Sequence, residues 1–189
     1  MEIDYVNKPS ILKSNRSVSE IIIEDKKIQL STESPKNIFS VSELKFKNKE
    51  FSDDFKKIFN FPCPDISKFN SNNDYEALWV KSNSYFIISN HIKFEDLNSH
   101  FKNKASITEQ TGGWITFTLE GALCRSVFEK ILTVNFDDFN QNNVIRTSLF
   151  GINCFILCKS KLTKYNIICP ISYYEGIKKR LIKLINLLD

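Results

Sequence analysis

Apolar and polar positions alternate unevenly along the chain, and the unevenness divides it. Residues 1–35 mix Ser, Lys, Asn and Glu around one apolar patch, Ile21-Ile22-Ile23, punctuated by Pro9 and Pro35. That pattern predicts an N-terminal arm, extended or ordered by a partner, with at most one short strand. From residue 37 the signals become regular. Phe39, Val41 and Leu44 alternate with Ser40, Ser42 and Glu43 as in a strand. Ser52-Asp53-Asp54 then supplies a helix start, and Phe51, Phe55, Ile58 and Phe59 share one helical face until Pro62 and Pro64 end it. After a polar loop, Lys68 to Asp74, the runs Ala77–Val80 and Tyr85–Ile88 flank Asn83-Ser84 and predict a hairpin. Phe94, Leu97 and Phe101 space out a second short helix.

The second half repeats this order. Ile115, Phe117 and Leu119 alternate with Thr116 and Thr118, and Gly121 breaks the strand. Leu123, Val127 and Ile131 then recur at helical spacing, widened by Cys124, Phe128 and Leu132. Val144–Leu149 and Cys154–Leu157 flank a turn at Gly151, Tyr165–Cys169 adds a strand, and Ile177, Leu181, Leu184 and Leu188 stripe a last helix. Phe55-Lys56-Lys57-Ile58-Phe59 resembles Phe128-Glu129-Lys130-Ile131-Leu132, and Asp65 and Asp138 follow at the same offset. The expectation is an α+β domain over residues 36–189, built from two similar β-α-β-β-α modules at about 37–104 and 105–189. Short hairpin turns make the sheets mainly antiparallel.

Composition narrows the function classes. Hydrophobic residues at 42 % and charged residues at 25 % are the balance of a globular protein. The net charge of +4 includes one dense basic stretch, Lys178-Lys179-Arg180 with Lys183, which reads as the solvated face of a helix. No basic patch interleaved with aromatics appears, so nucleic acid is not an expected partner. No apolar run is long enough to span a bilayer, and the N-terminus lacks the basic start and apolar core of a signal peptide. Five cysteines, odd in number and without a C-x-x-C pair, fit a reduced, cytoplasmic chain.

The residues offer no convincing active site. His91 and His100 have no Cys or carboxylate at ligand spacing, so no metal is expected. Cys154 and Cys158 stand too far apart along one strand to bridge. Gly112-Gly113 precedes a strand rather than opening a helix, so it reads as a tight turn and not a phosphate loop. Asp53-Asp54 and Asp137-Asp138 fit helix or loop starts. No catalytic or cofactor-binding residue is therefore assigned.

The stretch Ile107 to Ala122, with its Glu109-Gln110-Thr111-Gly112-Gly113 turn, alternating strand and Gly121-Ala122 helix entry, resembles the gamma subunit family of heterotetrameric sarcosine oxidase. So do Ile131–Asp137, Arg146–Gly151 and the Ala77–Val80/Tyr85–Ile88 hairpin. The family is related to the folate-binding aminomethyltransferases. Two departures stand out: Glu109-Gln110-Thr111 replaces an Asp-x-Ser, and Gly121-Ala122 replaces a Gly-Pro-Asp. The resemblance implies an aminomethyltransferase-like fold and a non-catalytic, structural role in the oxidative demethylation of sarcosine. It also implies alpha, beta and delta subunits as partners, with alpha in direct contact. FAD, FMN, NAD, zinc and tetrahydrofolate would be held by those other subunits. Trp79 and Trp114 become candidate anchors of a partner interface, with core placement in their own strands as the competing expectation. The alternative is a free-standing folate-binding protein or aminomethyltransferase-like enzyme, a class expected to be about twice this length.

Overall fold

A computed structural model of the chain describes residues 21–24, 27–33, 36–45 and 48–188. Residues 1–20 of the expected arm lie outside that set. The elements run β1 (Ile21–Glu24), β2 (Gln29–Thr32), β3 (Asn37–Glu43), α1 (Asn48–Phe59), β4 (Phe69–Ser71), β5 (Tyr75–Lys81), β6 (Ser84–Ser89), α2 (Phe94–His100) and β7 (Ala105–Glu109). They continue with β8 (Trp114–Glu120), α3 (Cys124–Glu129), β9 (Val144–Leu149), β10 (Ile152–Ser160), β11 (Lys164–Pro170) and, after a 3-10 turn, α4 (Tyr174–Ile185).

Two antiparallel sheets result. One has five strands in the order β4-β5-β6-β3-β7, the other six in the order β1-β2-β8-β11-β10-β9. The fold is α+β, and its layers follow from strand parity. Phe39, Val41, Ala77, Tyr85 and Ile87 face α1 and α2, where Phe51, Phe55, Phe59, Leu97 and Phe101 complete a core rich in aromatic rings. Phe117, Leu119, Ile156 and Ile167 do the same beneath α3 and α4, with Phe128, Ile177 and Leu181. The opposite faces meet each other: Ile38, Leu78, Phe86 and Ile88 of one sheet pack on Phe155, Leu157, Ile168 and Val144 of the other. The order is helices, sheet, sheet, helices, so the central strands are covered on both faces.

The repeat is visible in the topology. β3-α1-β4-β5-β6-α2 corresponds to β8-α3-β9-β10-β11-α4, and the central strands adopt the same order. β7, which the division at 104/105 assigns to the second half, hydrogen-bonds beside β3 in the first sheet. Its counterpart beside β8 comes from the far end of the chain: β2 pairs Leu30 with Leu119 and Ser31 with Thr118. The segment before residue 35 thus holds two strands rather than at most one, and they are ordered by this chain's own β8. Ile28 and Leu30 are buried because they fill that slot. Three further differences are local. α1 starts at Asn48, ahead of Ser52, because Phe51 already reaches the core. α3 is only six residues, and Ile131 and Leu132 lie beyond it. A three-residue strand, β4, forms inside the expected Lys68–Asp74 loop because Phe69 is drawn between the sheets.

Candidate functional site

At one end of the inter-sheet layer, polar side chains replace the apolar ones. On β10 the inward positions are Phe155, Leu157 and then Lys159; on β5, Leu78 and then Glu76. The Lys159 ammonium crosses the gap to the Glu76 carboxylate, and both side chains are mostly buried. It also lies 4.5 Å above the centre of the Phe69 ring. Glu33, directly after β2, enters from the side, its backbone N–H held by Thr116 O at 3.0 Å. Its Oε1 accepts from Asn166 Nδ2 at 2.6 Å, and its Oε2 faces Lys36 Nζ at 3.0 Å. The buried Thr118 hydroxyl lies 3.1 Å from both Glu33 Oε1 and Asn166 Oδ1 and can donate to either. A cleft of about 200 Å³ opens beside the cluster, lined in part by Lys36, Glu76, Ser89, His91 and Lys159.

Burial pushes the Glu33 carboxyl up, but Lys36, Asn166 and Lys159 together outweigh it and hold it below the ordinary glutamate value. Burial also pulls the Lys159 amine down to about 8, with Glu33 opposing. Lys36 and Lys164 lower it further, and at about 8 the ammonium is still the working form at neutral pH. Each acid in the cluster has a cation and each cation an acid. Such a set ties two sheets together; it leaves no spare base poised for a substrate proton.

A second polar group lies on the other face of the five-stranded sheet, where Glu43, Cys63, Ser52 and Tyr85 converge. Burial pushes the Cys63 thiol up to about 11 and the Tyr85 hydroxyl up to about 12. Burial also pushes Glu43 up. A thiol that stays protonated is a poor nucleophile. Among the described residues, no three His, Cys, Asp or Glu side chains come together as a metal site. His91 is exposed at the cleft, and His100 spends its Nδ1 on Asp96 O at 2.7 Å. Asp54 pairs with Lys104, and Asp137 lies 2.9 Å from Arg125. Gly112 does form a turn, with φ at +79° and Gly113 N–H on Gln110 O. No helix of the described residues is long and apolar enough to cross a membrane.

Trp79 and Trp114 are both half-buried against this chain's own cores and are not brought together. Trp79 borders both the helix-covered core of the five-stranded sheet and the inter-sheet layer. Trp114 sits between Phe86 and Phe155, with ring centroids at 5.4 and 5.7 Å, and so joins the two sheets. Trp114→Ala is expected to lower unfolding stability by about 2 kcal/mol in urea titration, less than for a fully buried Trp. An unchanged midpoint together with lost binding to a partner would move Trp114 from the sheet contact to an interface.

The residues of the charged cluster were missed in the sequence, though signals exist. Asn166 interrupts the apolar run Tyr165–Cys169 at an inward position, and Glu76 and Lys159 share the parity of Leu78 and Leu157.

No protein-family model matches the sequence, and no curated protein matches it as a relative. The fold is similar to that of a chain in the heterotetrameric sarcosine oxidase from Corynebacterium sp. U-96, solved in complex with pyrrole 2-carboxylate. The TM-score is 0.77 at 13 % identity, over 88 % of this chain and 87 % of that one. At that identity, what is shared is the fold. E. coli aspartokinase III in complex with aspartate and ADP gives a TM-score of 0.43 at 10 % identity, over 86 % of this chain and 34 % of that one. A likeness that weak says nothing about the role of this chain.

Proposed function

We propose that this chain is a non-catalytic, structural subunit of a heterotetrameric complex of the sarcosine oxidase type, in the place of the gamma subunit. The observation that carries the reading is the fold match along nearly all of both chains. Coverage is almost equal in the two directions, so the matched chain of that heterotetramer is of about this size. The saturated ion cluster supports the same reading, because its charges are spent on holding the sheets together. In this reading the chain contacts the alpha subunit, and FAD, FMN, NAD, zinc and tetrahydrofolate belong to the alpha, beta and delta subunits. Its part in the demethylation of sarcosine is to support the folate-side portion of alpha.

The test is co-expression of the tagged chain with candidate alpha, beta and delta subunits from its own source, followed by pull-down and a sarcosine-dependent peroxide assay. The expected result is a stoichiometric, active complex, with the isolated chain inert. If the chain stays alone and binds a folate or turns over an N-methyl amine by itself, the subunit reading fails and a free-standing folate-binding protein replaces it.

A further inference from the structure

Four of the five cysteines are buried in the helix-covered core of the six-stranded sheet, and two of these face each other. The β10–β11 register pairs Phe155 with Ile168, so the next rung sets Cys154 opposite Cys169. On the β9 side, Cys158 N–H donates to Asn143 O and Asn142 N–H to Cys158 O. Even-numbered residues of β10 therefore turn their backbone groups to β9, and odd-numbered ones to β11. Cys154 and Cys169 thus form a non-hydrogen-bonded pair, in which Cα atoms approach to about 4.5 Å. A disulfide spans Cα separations of about 4.4–6.8 Å. The side chains already touch. The Cys154 thiol donates to Ile152 O at 3.3 Å, and its interaction with Cys169 favours ionisation of Cys154 against its burial, while the same contact and burial push Cys169 up. The other buried cysteines have different neighbours: Cys124 Sγ donates to Thr163 O, and Cys158 lies opposite Tyr165.

We propose that Cys154 and Cys169 are a site of reversible oxidation, closing to a cross-strand disulfide between β10 and β11 when the chain meets a small peroxide. The Cys154 thiolate attacks one peroxide oxygen; the O–O bond breaks, and hydroxide leaves to become water with the proton Cys154 gave up. Cys154 is then a sulfenic acid. The Cys169 sulfur attacks the Cys154 sulfur, the S–S bond forms, the S–O bond breaks, and water leaves with the Cys169 proton. Two thiols lose two electrons and two protons, and one peroxide becomes two waters. The oxidant has to be small because both side chains are 0 % exposed, in one cluster with Tyr174, Ile177 and Leu181 of α4. A bulky disulfide reagent would first need α4 to lift.

The experiment treats the full chain with hydrogen peroxide, quenches it, and alkylates the remaining thiols in denaturant before mass spectrometry. Expected is a loss of two of the five thiols, a matching loss of two hydrogens in intact mass, and a peptide pair linked through Cys154 and Cys169 that a dithiol reductant releases. Cys154→Ser and Cys169→Ser should each abolish the link, and Cys124→Ser should leave it. The peptide map of the unsubstituted chain decides the matter even where a variant folds poorly. A link through any other pair, or Cys154 and Cys169 both still alkylated after Cys63 has been oxidised, overturns the proposal.

Discussion

Gly121→Ala is expected to destabilise the fold by about 3 kcal/mol or more, a large share of the stability of an ordinary domain. Gly121 ends β8 with φ at +130°, a conformation that side-chain-bearing residues rarely adopt. A Cβ there would lie 2.3 Å from the Lys27 carbonyl oxygen and 2.8 Å from Ile28 Cα. Both are backbone atoms, so no rotamer change relieves the clash; β2 has to move off β8. That move would uncover Ile28 and Leu30, loosen the Leu123 N–H to Lys27 O bond and pull Glu33 from Asn166. Gly151→Ala is the control, since Gly151 also has positive φ, +85°, but an added Cβ meets nothing within 4 Å. It should cost only about 1–2 kcal/mol of left-handed strain. Urea unfolding of both variants, with tryptic cleavage after Lys27 as a local probe, separates the two effects. Equal costs for Gly121→Ala and Gly151→Ala would mean that the hairpin does not pack against the β8–α3 turn.

The order of elements was legible in the sequence because most strands and helices carry their own period. The hairpins β5–β6 and β9–β10, the helix under Phe55 and Phe59, and the α4 stripe all follow from local spacing. The two-module architecture followed from the repeated order. What stayed hidden depends on long-range pairing. The segment Ile28–Thr32 does alternate, Ile28 and Leu30 against Gln29 and Ser31, but the run is short and its partner, β8, lies about 90 positions away. In β8, Phe117 and Leu119 alternate with Thr116 and Thr118, a pattern that by itself does not show whether the threonine face is covered. Thr118 is buried as well, because the five-stranded sheet covers that face and Glu33, directly after β2, and Asn166 of β11, on either side of β8, close around its hydroxyl. Charged residues at inward positions then look like surface residues in the sequence. Glu76 and Lys159 are 83 positions apart, and nothing local announces that they meet.

Lys159→Ala should be the most costly change in the charged cluster, at roughly 3–5 kcal/mol near neutral pH, because it strands the buried Glu76 carboxylate without its cation. Glu76 and Glu33 would then face the inter-sheet layer with Lys36 alone, and Lys36 is the more exposed of the two amines. The pH dependence identifies the cause. In the unsubstituted chain Glu33 titrates below the ordinary glutamate value, so its contribution is fully present above about pH 4.5 and is lost as pH falls through the lower folded value. In the variant Glu33 keeps Lys36 and Asn166, but Glu76 is buried without its cation, which raises its folded carboxyl value above the unfolded one. The folded state then binds more protons, and stability falls as pH rises through that window. Between about pH 7 and pH 5 the gap between the two proteins should therefore narrow. Glu76→Gln should cost less, about 1–2 kcal/mol, since Lys159 keeps Glu33 close by and an amide can still accept its hydrogen bond. Urea titrations of the three proteins at both pH values read all of this. A Lys159→Ala deficit of the same size at pH 7 and pH 5 would mean that lost packing against Phe69, not the stranded charge, is what the substitution removes.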